Sequence, residues 1–474
     1  MIKAYVFLTA FLISLTLLYL ELTHQGMSSA LNFSTWVPMV LCAVIVIYSR
    51  SLVVFSPIFI LYNLVLFGNS IRYIVLSLNQ NDFRLRFTLS NLNLGEFESG
   101  SQIFALGVIA MCAGYIASSI WPEARRRIQD DKLFQFRPFL FWVCCGGFFG
   151  VLILYLIQTG FTSDFSAKRI LVDTQGNEFR FGPLRFGLNI GVIFFQFLLV
   201  YAFLNKNLRN RRVIFGISML FILIFAITLS KRSTLLVSFM PIALVLAYKF
   251  KFTKSHQYIL GTFLTISLVL FISSERKNTV NNVNASAQIP LSQLTKELFL
   301  SSNFSGLVAT AISTVVIEHV PPFKGSTFYI DPVTQFIPRQ YWPSKPEELG
   351  GRIRQYHQHS GFAPKSFKRG GTAPGLISEA WLNFRVPGVI SILFLYGFGI
   401  GLLYRRFIAR WIYDDFFVVL YLCYVPILTL NCFGGHFARL VLMSVTFSIS
   451  AFLVMCLRKT VSLSTKDLSV SYAR

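Results

Sequence analysis

Twelve long apolar runs constrain the fold of this chain more than any other feature. They lie near residues 4–22, 30–48, 52–77, 102–121, 138–158, 187–204, 213–229, 233–248, 258–274, 386–404, 416–434 and 439–457. About 20 apolar residues in a helix cross a bilayer core about 30 Å thick. In lipid, only helices and closed barrels satisfy their own backbone hydrogen bonds, and these runs are too long and uniformly apolar for barrel strands. The sequence therefore predicts an all-α, polytopic integral membrane protein with about twelve transmembrane helices.

The composition agrees with this prediction. The 474 residues are 54% hydrophobic and only 13% charged, whereas soluble domains carry about 25% charged residues. We interpret residues 1–474 as a single transmembrane domain. The run at 4–22 is predicted to be a retained helix rather than a signal peptide, because no small-residue cleavage site follows it. The seven cysteines are scattered over the apolar runs, so they indicate packing residues rather than a disulfide framework or a zinc site.

The positions of the Lys and Arg residues predict the orientation in the membrane. Dense clusters occur in alternate connections, at 125–127, 206–212, 249–254, 405–410 and 458–459. Because such clusters concentrate on the cytoplasmic side, both termini are predicted to be cytoplasmic. The long connection 275–385 then lies on the periplasmic side. Within it, residues 291–317 have an amphipathic, helical pattern, and residues 321–374 are rich in Pro and Gly and predicted to be irregular.

The long loop 275–385 is strongly basic, although short external loops are normally depleted of cations. It carries twelve Lys or Arg residues and also His319, His357 and His359. Aromatic residues alternate with cations around Arg339, and Arg352 and Arg369 follow. A loop lying on an anionic membrane surface would explain the cations and aromatics but not the three histidines. The pattern therefore indicates a site for a phosphate-bearing or acidic substrate.

Further cations are predicted to lie outside the membrane in other connections. Arg180 and Arg185 precede one apolar run, Arg232 lies in the turn Ser230–Thr234, and Arg439 lies beside His436 in a short turn. Arg presents a planar fork of donors that matches phosphate or carboxylate. The alternative for each is contact with lipid headgroups by a long side chain that keeps its charged tip in water.

Glu379 lies close to the membrane boundary, inside an otherwise apolar segment. Ionisable groups at such a depth are costly and usually have a partner or a role. Glu379 is therefore a candidate general base, with an ion pair to a nearby Arg as the structural alternative. The sequence contains no Asp-x-Asp motif beside the basic surface and no Walker loop. These absences disfavour a metal-dependent transferase and ATP-driven transport, and we expect no cofactor or metal.

Three patches of sequence resemble the Wzy-type O-antigen and oligosaccharide repeat-unit polymerases. They are Gly370–Gly375 with Glu379–Phe384 and Gly388, the Ile337–Pro346 stretch with its Trp-Pro and Lys-Pro pairs, and the Ser230–Thr234 turn. The layout of about twelve helices with a long periplasmic loop in the C-terminal half is also similar. One position departs from the pattern, because Arg385 stands where the family usually has Gly or a similar residue after the Asn-Phe pair.

The resemblance implies a bacterial inner-membrane glycosyltransferase of lipopolysaccharide and polysaccharide biosynthesis. Such an enzyme moves a growing glycan from undecaprenyl pyrophosphate onto the next lipid-linked repeat unit, without a metal or a nucleotide sugar. A chain-length regulator is a possible partner, and no nucleic acid is involved. On this basis we expect Arg232, Arg339 and Arg369 to bind the pyrophosphate. We expect Arg185 to hold the acceptor or a second diphosphate, and Glu379 or His359 to act as the base. Further substrate-binding candidates are Arg180, Arg352 and Arg439.

The sequence is also compatible with three other functions. An O-antigen ligase-like transferase would use the same donor with a different acceptor, which the sequence does not identify. A flippase of lipid-linked oligosaccharide would need charges at mid-membrane depth, but the apolar runs are nearly free of charge and show no inverted repeat. A non-enzymatic scaffold with a lipid-binding loop is the last alternative.

Overall fold

The computed structural model describes residues 2–23, 28–49, 55–71, 73–74, 94–120, 133–158, 182–204, 210–229, 240–242, 306–319, 322–337, 342, 344–346, 349, 351–353, 374–410 and 415–461. The elements of the N-terminal half are α1 (Ile2–Leu22), α2 (Ser29–Tyr48), α3 (Pro57–Val65, continued by a π-helical turn at Leu66–Ser70), α4 (Leu94–Ala117, continued by a 3₁₀ turn at Ser118–Ile120), β1 (Leu133–Phe136), α5 (Pro138–Gln158), α6 (Gly182–Leu204) and α7 (Arg211–Leu229). Those of the C-terminal half are α8 (Gly306–His319), α9 (Ser326–Thr334), α10 (Gly375–Arg410), α11 (Asp415–Gly434), α12 (Phe437–Leu457) and β2 (Arg458–Val461).

Seven of the described helices are long and apolar enough to cross a membrane. They comprise Lys3–Leu22, Ser29–Tyr48, Phe97–Ile120, Pro138–Ile157, Phe186–Leu204, Gly375–Ala409 and Phe437–Leu457, and two shorter apolar helices occur at Pro57–Ser70 and Phe416–Leu430. The described part of the chain is therefore that of a helical membrane protein. The predicted runs 233–248 and 258–274 lie outside the described residues, apart from a helical fragment at 240–242. The total of twelve spans stays a prediction.

The helix α10 begins eleven residues before the predicted run 386–404. Its early turns contain Ser378, Glu379 and Asn383, which are all buried. These polar residues lower the hydropathy of the segment, but they face protein rather than lipid, so the helix extends through them. At Arg385 the backbone departs from helical geometry and two helical parts join at a kink.

The structure forms two compact units. The first takes in the described parts of Met1–Glu123, Ile289–Ile408 and Val425–Leu442, and the second those of Ala124–Gln288, Ala409–Tyr424 and Met443–Arg474. In the first unit α4 packs closely on its neighbours through glycines. A Cβ atom at Gly100 would overlap the backbone of Ala311 in α8, and one at Gly114 would overlap the carbonyl of Phe394 in α10. Small residues are what allow membrane helices to approach this closely.

The second unit contains a packed aromatic group and a short antiparallel ladder. Phe195 of α6 and Phe221 of α7 stack with ring centroids 4.3 Å apart. The ladder joins β1 to β2 with Leu133 opposite Val461 and Phe136 opposite Arg458. The all-α prediction did not include these strands, which complete each other's backbone hydrogen bonds beside two helix ends. The connection before α5 and the segment after α12 therefore lie at the same end of this unit.

The predicted long loop contains two described helices. The helical prediction for 291–317 is confirmed where it overlaps α8, and the rest of that range lies outside the described residues. Ala311, Ile312 and Val315 of α8 are buried, so this helix belongs to the core. The prediction of irregular structure for 321–374 is wrong at α9, where Pro332 lies inside a nine-residue helix. A sequence-based assignment fails there because Pro usually breaks a helix interior.

Candidate functional site

Four chain segments meet where α10 begins: α9 with its flanking turns, residues 351–353, the first turns of α10, and the N-terminus of α12. The backbone N–H of Phe323 donates to the carbonyl of Leu382, at 3.2 Å. The ring of Phe328 lies 5.1 Å from that of Phe437, measured between centroids. The polar residues that these contacts bring together are called the junction site and comprise Asp331, Arg352, Glu379, Asn383 and His436.

Asn383 ties the turn before α9 to α10. Its Oδ1 accepts a hydrogen bond from the Gly325 backbone N–H at 2.9 Å. Its Nδ2 donates to the Thr327 hydroxyl at 2.8 Å and to the Glu379 carbonyl at 2.7 Å. Gly325 has a φ of +85°, which favours glycine. One buried amide thus holds α9 in place beside Glu379.

Glu379 is fully buried and faces the N-terminus of α12. Its side chain is 0% exposed, and its Oε2 accepts a hydrogen bond from the Phe437 backbone N–H at 2.5 Å. A helix N-terminus carries unpaired N–H donors and a partial positive charge, which stabilise a carboxylate there. The Thr327 side chain also interacts with this carboxyl, while Oε1 has no well-aligned hydrogen bond among the described residues. The carboxyl group therefore keeps one oxygen available for a proton or a ligand.

Asp331 and Arg352 form an ion pair on the protein-facing side of α9. The side chain of Asp331 is 6% exposed and that of Arg352 is 19% exposed. The guanidinium group of Arg352 also lies over the ring of Phe323, 5.1 Å from its centroid. Its Nε has no hydrogen-bond partner in the part of the chain that the structure describes. Arg352 therefore binds a carboxylate through Nη2, and its Nε–H is left as a further hydrogen-bond donor.

His436 joins α12 to the end of α9. Its Nε2 accepts a hydrogen bond from the amide Nε2 of Gln335, at 2.9 Å, because an amide nitrogen donates and does not accept. The next residue along the chain is Phe437, whose N–H binds Glu379. A carboxyl, an imidazole and an ion-paired guanidinium thus come together from three distant segments of the sequence.

Arg385 adopts a backbone conformation that favours glycine. Its φ is 60° and its ψ is −147°, a region that essentially only glycine occupies without strain. Its guanidinium group lies 5.9 Å from the centroid of the Trp381 ring. Both the Nη1 of Arg385 and the Nε1 of Trp381 are buried without a partner among the described residues.

The structure places only some of the predicted site residues. Glu379 and Arg352 lie together in the junction site, and Arg439 lies in the first turn of α12, partly buried. Arg185 lies in the first turn of α6, in the second unit. The remaining predicted site residues lie outside the described ranges and comprise Arg180, Arg232, Arg339, His359 and Arg369. The expected convergence of arginines on one diphosphate stays a prediction.

Sequence reasoning missed two central residues of the junction site. Asp331 was not singled out, although it is an acidic residue within a strongly basic loop and its partner Arg352 was. Asn383 was noted only as part of the family-like segment. An acidic residue among many cations is a usable signal for an ion pair, but two of the three hydrogen bonds of Asn383 depend on tertiary contacts.

The junction site holds groups that are able to exchange a proton or to bind an anion. A carboxyl with a free oxygen can take a proton from a hydroxyl group, but Glu379 is enclosed, so a substrate must first displace the groups that cover it. No cluster of three His, Cys, Asp or Glu residues suited to a metal ion occurs in the described ranges. Comparisons with family models, curated proteins and solved structures find no match to this chain.

Proposed function

We propose that this chain is a membrane glycosyltransferase that polymerises undecaprenyl-pyrophosphate-linked oligosaccharide repeat units into an O-antigen-like polysaccharide. In this proposal it lies in a bacterial inner membrane with both termini in the cytoplasm, and it acts on the periplasmic side. The proposal rests on the resemblance of three sequence patches to repeat-unit polymerases. One of these patches contains Glu379, Asn383 and Phe384, which lie at or beside the junction site.

A single observation carries the proposal furthest. Glu379 is a fully buried carboxyl at the start of a candidate membrane span, and one of its oxygens has no well-aligned hydrogen bond among the described residues. Burying a carboxyl in this way costs free energy unless the group is paired, and the contacts with Phe437 and Thr327 leave Oε1 able to take a proton. A general base for a sugar hydroxyl needs such an oxygen.

The proposed step is a direct transfer. The acceptor hydroxyl oxygen attacks the anomeric carbon of the donor glycan, while the bond from that carbon to the pyrophosphate oxygen breaks. The hydroxyl proton moves to Oε1 of Glu379, and undecaprenyl pyrophosphate leaves with the bonding electron pair. The negative charge that develops on the leaving group needs fixed cations at its side. His359 is the alternative base.

The cations have separate proposed roles. Arg232, Arg339 and Arg369 bind the leaving pyrophosphate, and Arg180 and Arg185 hold the acceptor or its diphosphate. Arg439 lies in the first turn of α12, two residues after Phe437, whose N–H binds Glu379. Arg352 already binds Asp331, so it reaches a substrate only through its remaining donors.

Deleting the gene and separating the surface glycan on a gel tests the reaction class. Loss of a polymerase leaves lipid cores capped by single repeat units, because ligation continues without chain growth. Loss of a ligase-like enzyme leaves uncapped cores while polymer accumulates on its lipid carrier. Loss of a flippase leaves repeat units on the cytoplasmic side. Only the first pattern, restored by the wild-type chain, agrees with the proposal.

A further inference from the structure

The helix α9 buries polar side chains and exposes apolar ones, the opposite of what is expected for a helix on a water-exposed loop. Its inward face carries Thr327, Asp331 and Thr334, all buried. Its outward face carries Tyr329, which is 60% exposed, and Val333, which is 65% exposed. The exposed apolar set continues past the end of α9 and comprises Tyr329, Ile330, Val333, Phe336 and Ile337. Spacings of three and four residues place most of these side chains on one helical face.

The polar face points inward because its partners lie there. Asp331 binds Arg352, and Thr327 accepts a hydrogen bond from Asn383. Single exposed apolar side chains are ordinary on soluble proteins, whereas a contiguous apolar patch marks an interaction surface. The outward face of α9 is such a patch.

The patch continues onto a candidate membrane span. Phe384 of α10 is 44% exposed, and its ring stacks against Phe328 of α9 with centroids 6.2 Å apart. Beyond the kink, Val386 and Ile390 are also exposed apolar residues of α10. The apolar surface of α9 is therefore continuous, at the Phe328–Phe384 contact, with that of α10. The helix α10 is long enough to cross the bilayer.

The backbone around α9 is also compatible with lipid. Irregular backbone at membrane depth is tolerated only where its polar groups are satisfied inside the protein. Before the helix, the N–H groups of Phe323 and Gly325 donate to Leu382 and Asn383. After it, those of Gln335, Phe336 and Ile337 donate to carbonyls within α9.

We propose that α9 is immersed in the hydrocarbon layer of the membrane, with lipid acyl chains covering the face formed by Tyr329, Val333 and Phe336. At nine residues and a rise of about 1.5 Å per residue, the helix cannot cross the bilayer. It lies instead at partial depth beside the start of α10. The Asp331–Arg352 ion pair is then separated from lipid by one helix. This placement is independent of the reaction that the protein catalyses.

Site-specific photo-crosslinking tests the placement in membranes. A benzophenone amino acid replaces Val333 in one variant. Phe452, 60% exposed on the candidate span of α12, is the lipid-facing control, and exposed Ser344 is the polar control. After irradiation of membranes, mass spectrometry identifies the adduct. We expect phospholipid adducts at positions 333 and 452, and at least tenfold less at 344.

Three outcomes would overturn the placement. They are a crosslink from position 333 to a second copy of the chain, a crosslink to another protein or to a different segment of the same chain, and the absence of lipid adducts at 333 when they form at 452. Because Val333 is exposed, its replacement leaves the packed side of α9 intact. An unchanged elution profile of the purified variant checks that it folds.

Discussion

Glu379 combines a satisfied and an unsatisfied oxygen within one buried carboxyl group. Oε2 accepts the Phe437 N–H, the Thr327 side chain also interacts with the carboxyl, and Oε1 has no well-aligned hydrogen bond in the described part of the chain. An amide of the same shape can still accept the Phe437 hydrogen bond through its oxygen, but it cannot take up a proton. Glutamine therefore separates the structural role of this residue from its proposed chemical role.

For Glu379→Gln we expect a fall in polymerising activity of about 10²- to 10⁴-fold, the usual contribution of a general base, with melting temperature and yield close to those of the wild type. The control is Glu98→Gln, the same change at a partly buried carboxyl of α4, which is expected to leave activity unchanged. Wild-type activity in the Glu379 variant would remove this residue from the chemistry and favour His359.

Arg385 allows a test of backbone strain with matched variants. Arg385→Gly and Arg385→Ala both remove the guanidinium group, but only glycine adopts a φ of 60° with a ψ of −147° freely. We expect the glycine variant to be more stable than the alanine variant by about 1–3 kcal/mol, measured as a higher melting temperature in detergent. Equal melting temperatures would mean that the kink is not strained.

The residues at and beside the junction site differ in how well their roles can be predicted from the sequence. Glu379 could be found because a carboxyl in an apolar segment is unusual. The strain at Arg385 could not be predicted from residue type, although the glycine usual in the resembling family agrees with the observed φ. The role of Asp331 depends on which cation the fold brings to it.

At the scale of elements, α9 is held in place largely by the amide of Asn383. Asn383→Ala removes three hydrogen bonds from a buried region and leaves the Gly325 N–H without its acceptor. Each unsatisfied buried group costs about 1–3 kcal/mol. We therefore expect amide hydrogen exchange across 322–337 to accelerate by at least tenfold. Thr327→Val, which removes only one of these bonds, should accelerate it less. Unchanged exchange in the Asn383 variant would contradict this account.

The sequence predicts long helices better than short ones. The predicted run 138–158 coincides with α5 because its residues are apolar throughout and Pro138 begins the helix. The early turns of α10 were missed because buried Ser378, Glu379 and Asn383 resemble a polar loop in a hydropathy profile. The helix α9 was missed because its stability comes from contacts with α10 rather than from its own sequence.

At the scale of the whole molecule, the β1–β2 ladder tests the predicted topology. It brings the connection before α5 beside the segment after α12, and both are predicted to be cytoplasmic. Cysteines at the paired positions Phe134 and Thr460 should form a disulfide on mild oxidation, whereas the offset pair Phe134 and Val461 should do so poorly, since neighbouring strand residues point to opposite faces. A cytoplasmic thiol reagent should block the reaction. If a thiol reagent prevents the disulfide only when it is added on the periplasmic side, the predicted topology is wrong.

We propose that this chain by itself joins lipid-linked repeat units. The most direct test of this proposal uses the purified protein in lipid nanodiscs with undecaprenyl-pyrophosphate-linked oligosaccharide as the only substrate, in the presence of EDTA. We expect a ladder of lipid-linked polymers with release of undecaprenyl pyrophosphate, and loss of the ladder with Glu379→Gln. Intact, unextended substrate after incubation with correctly folded wild-type protein would contradict it.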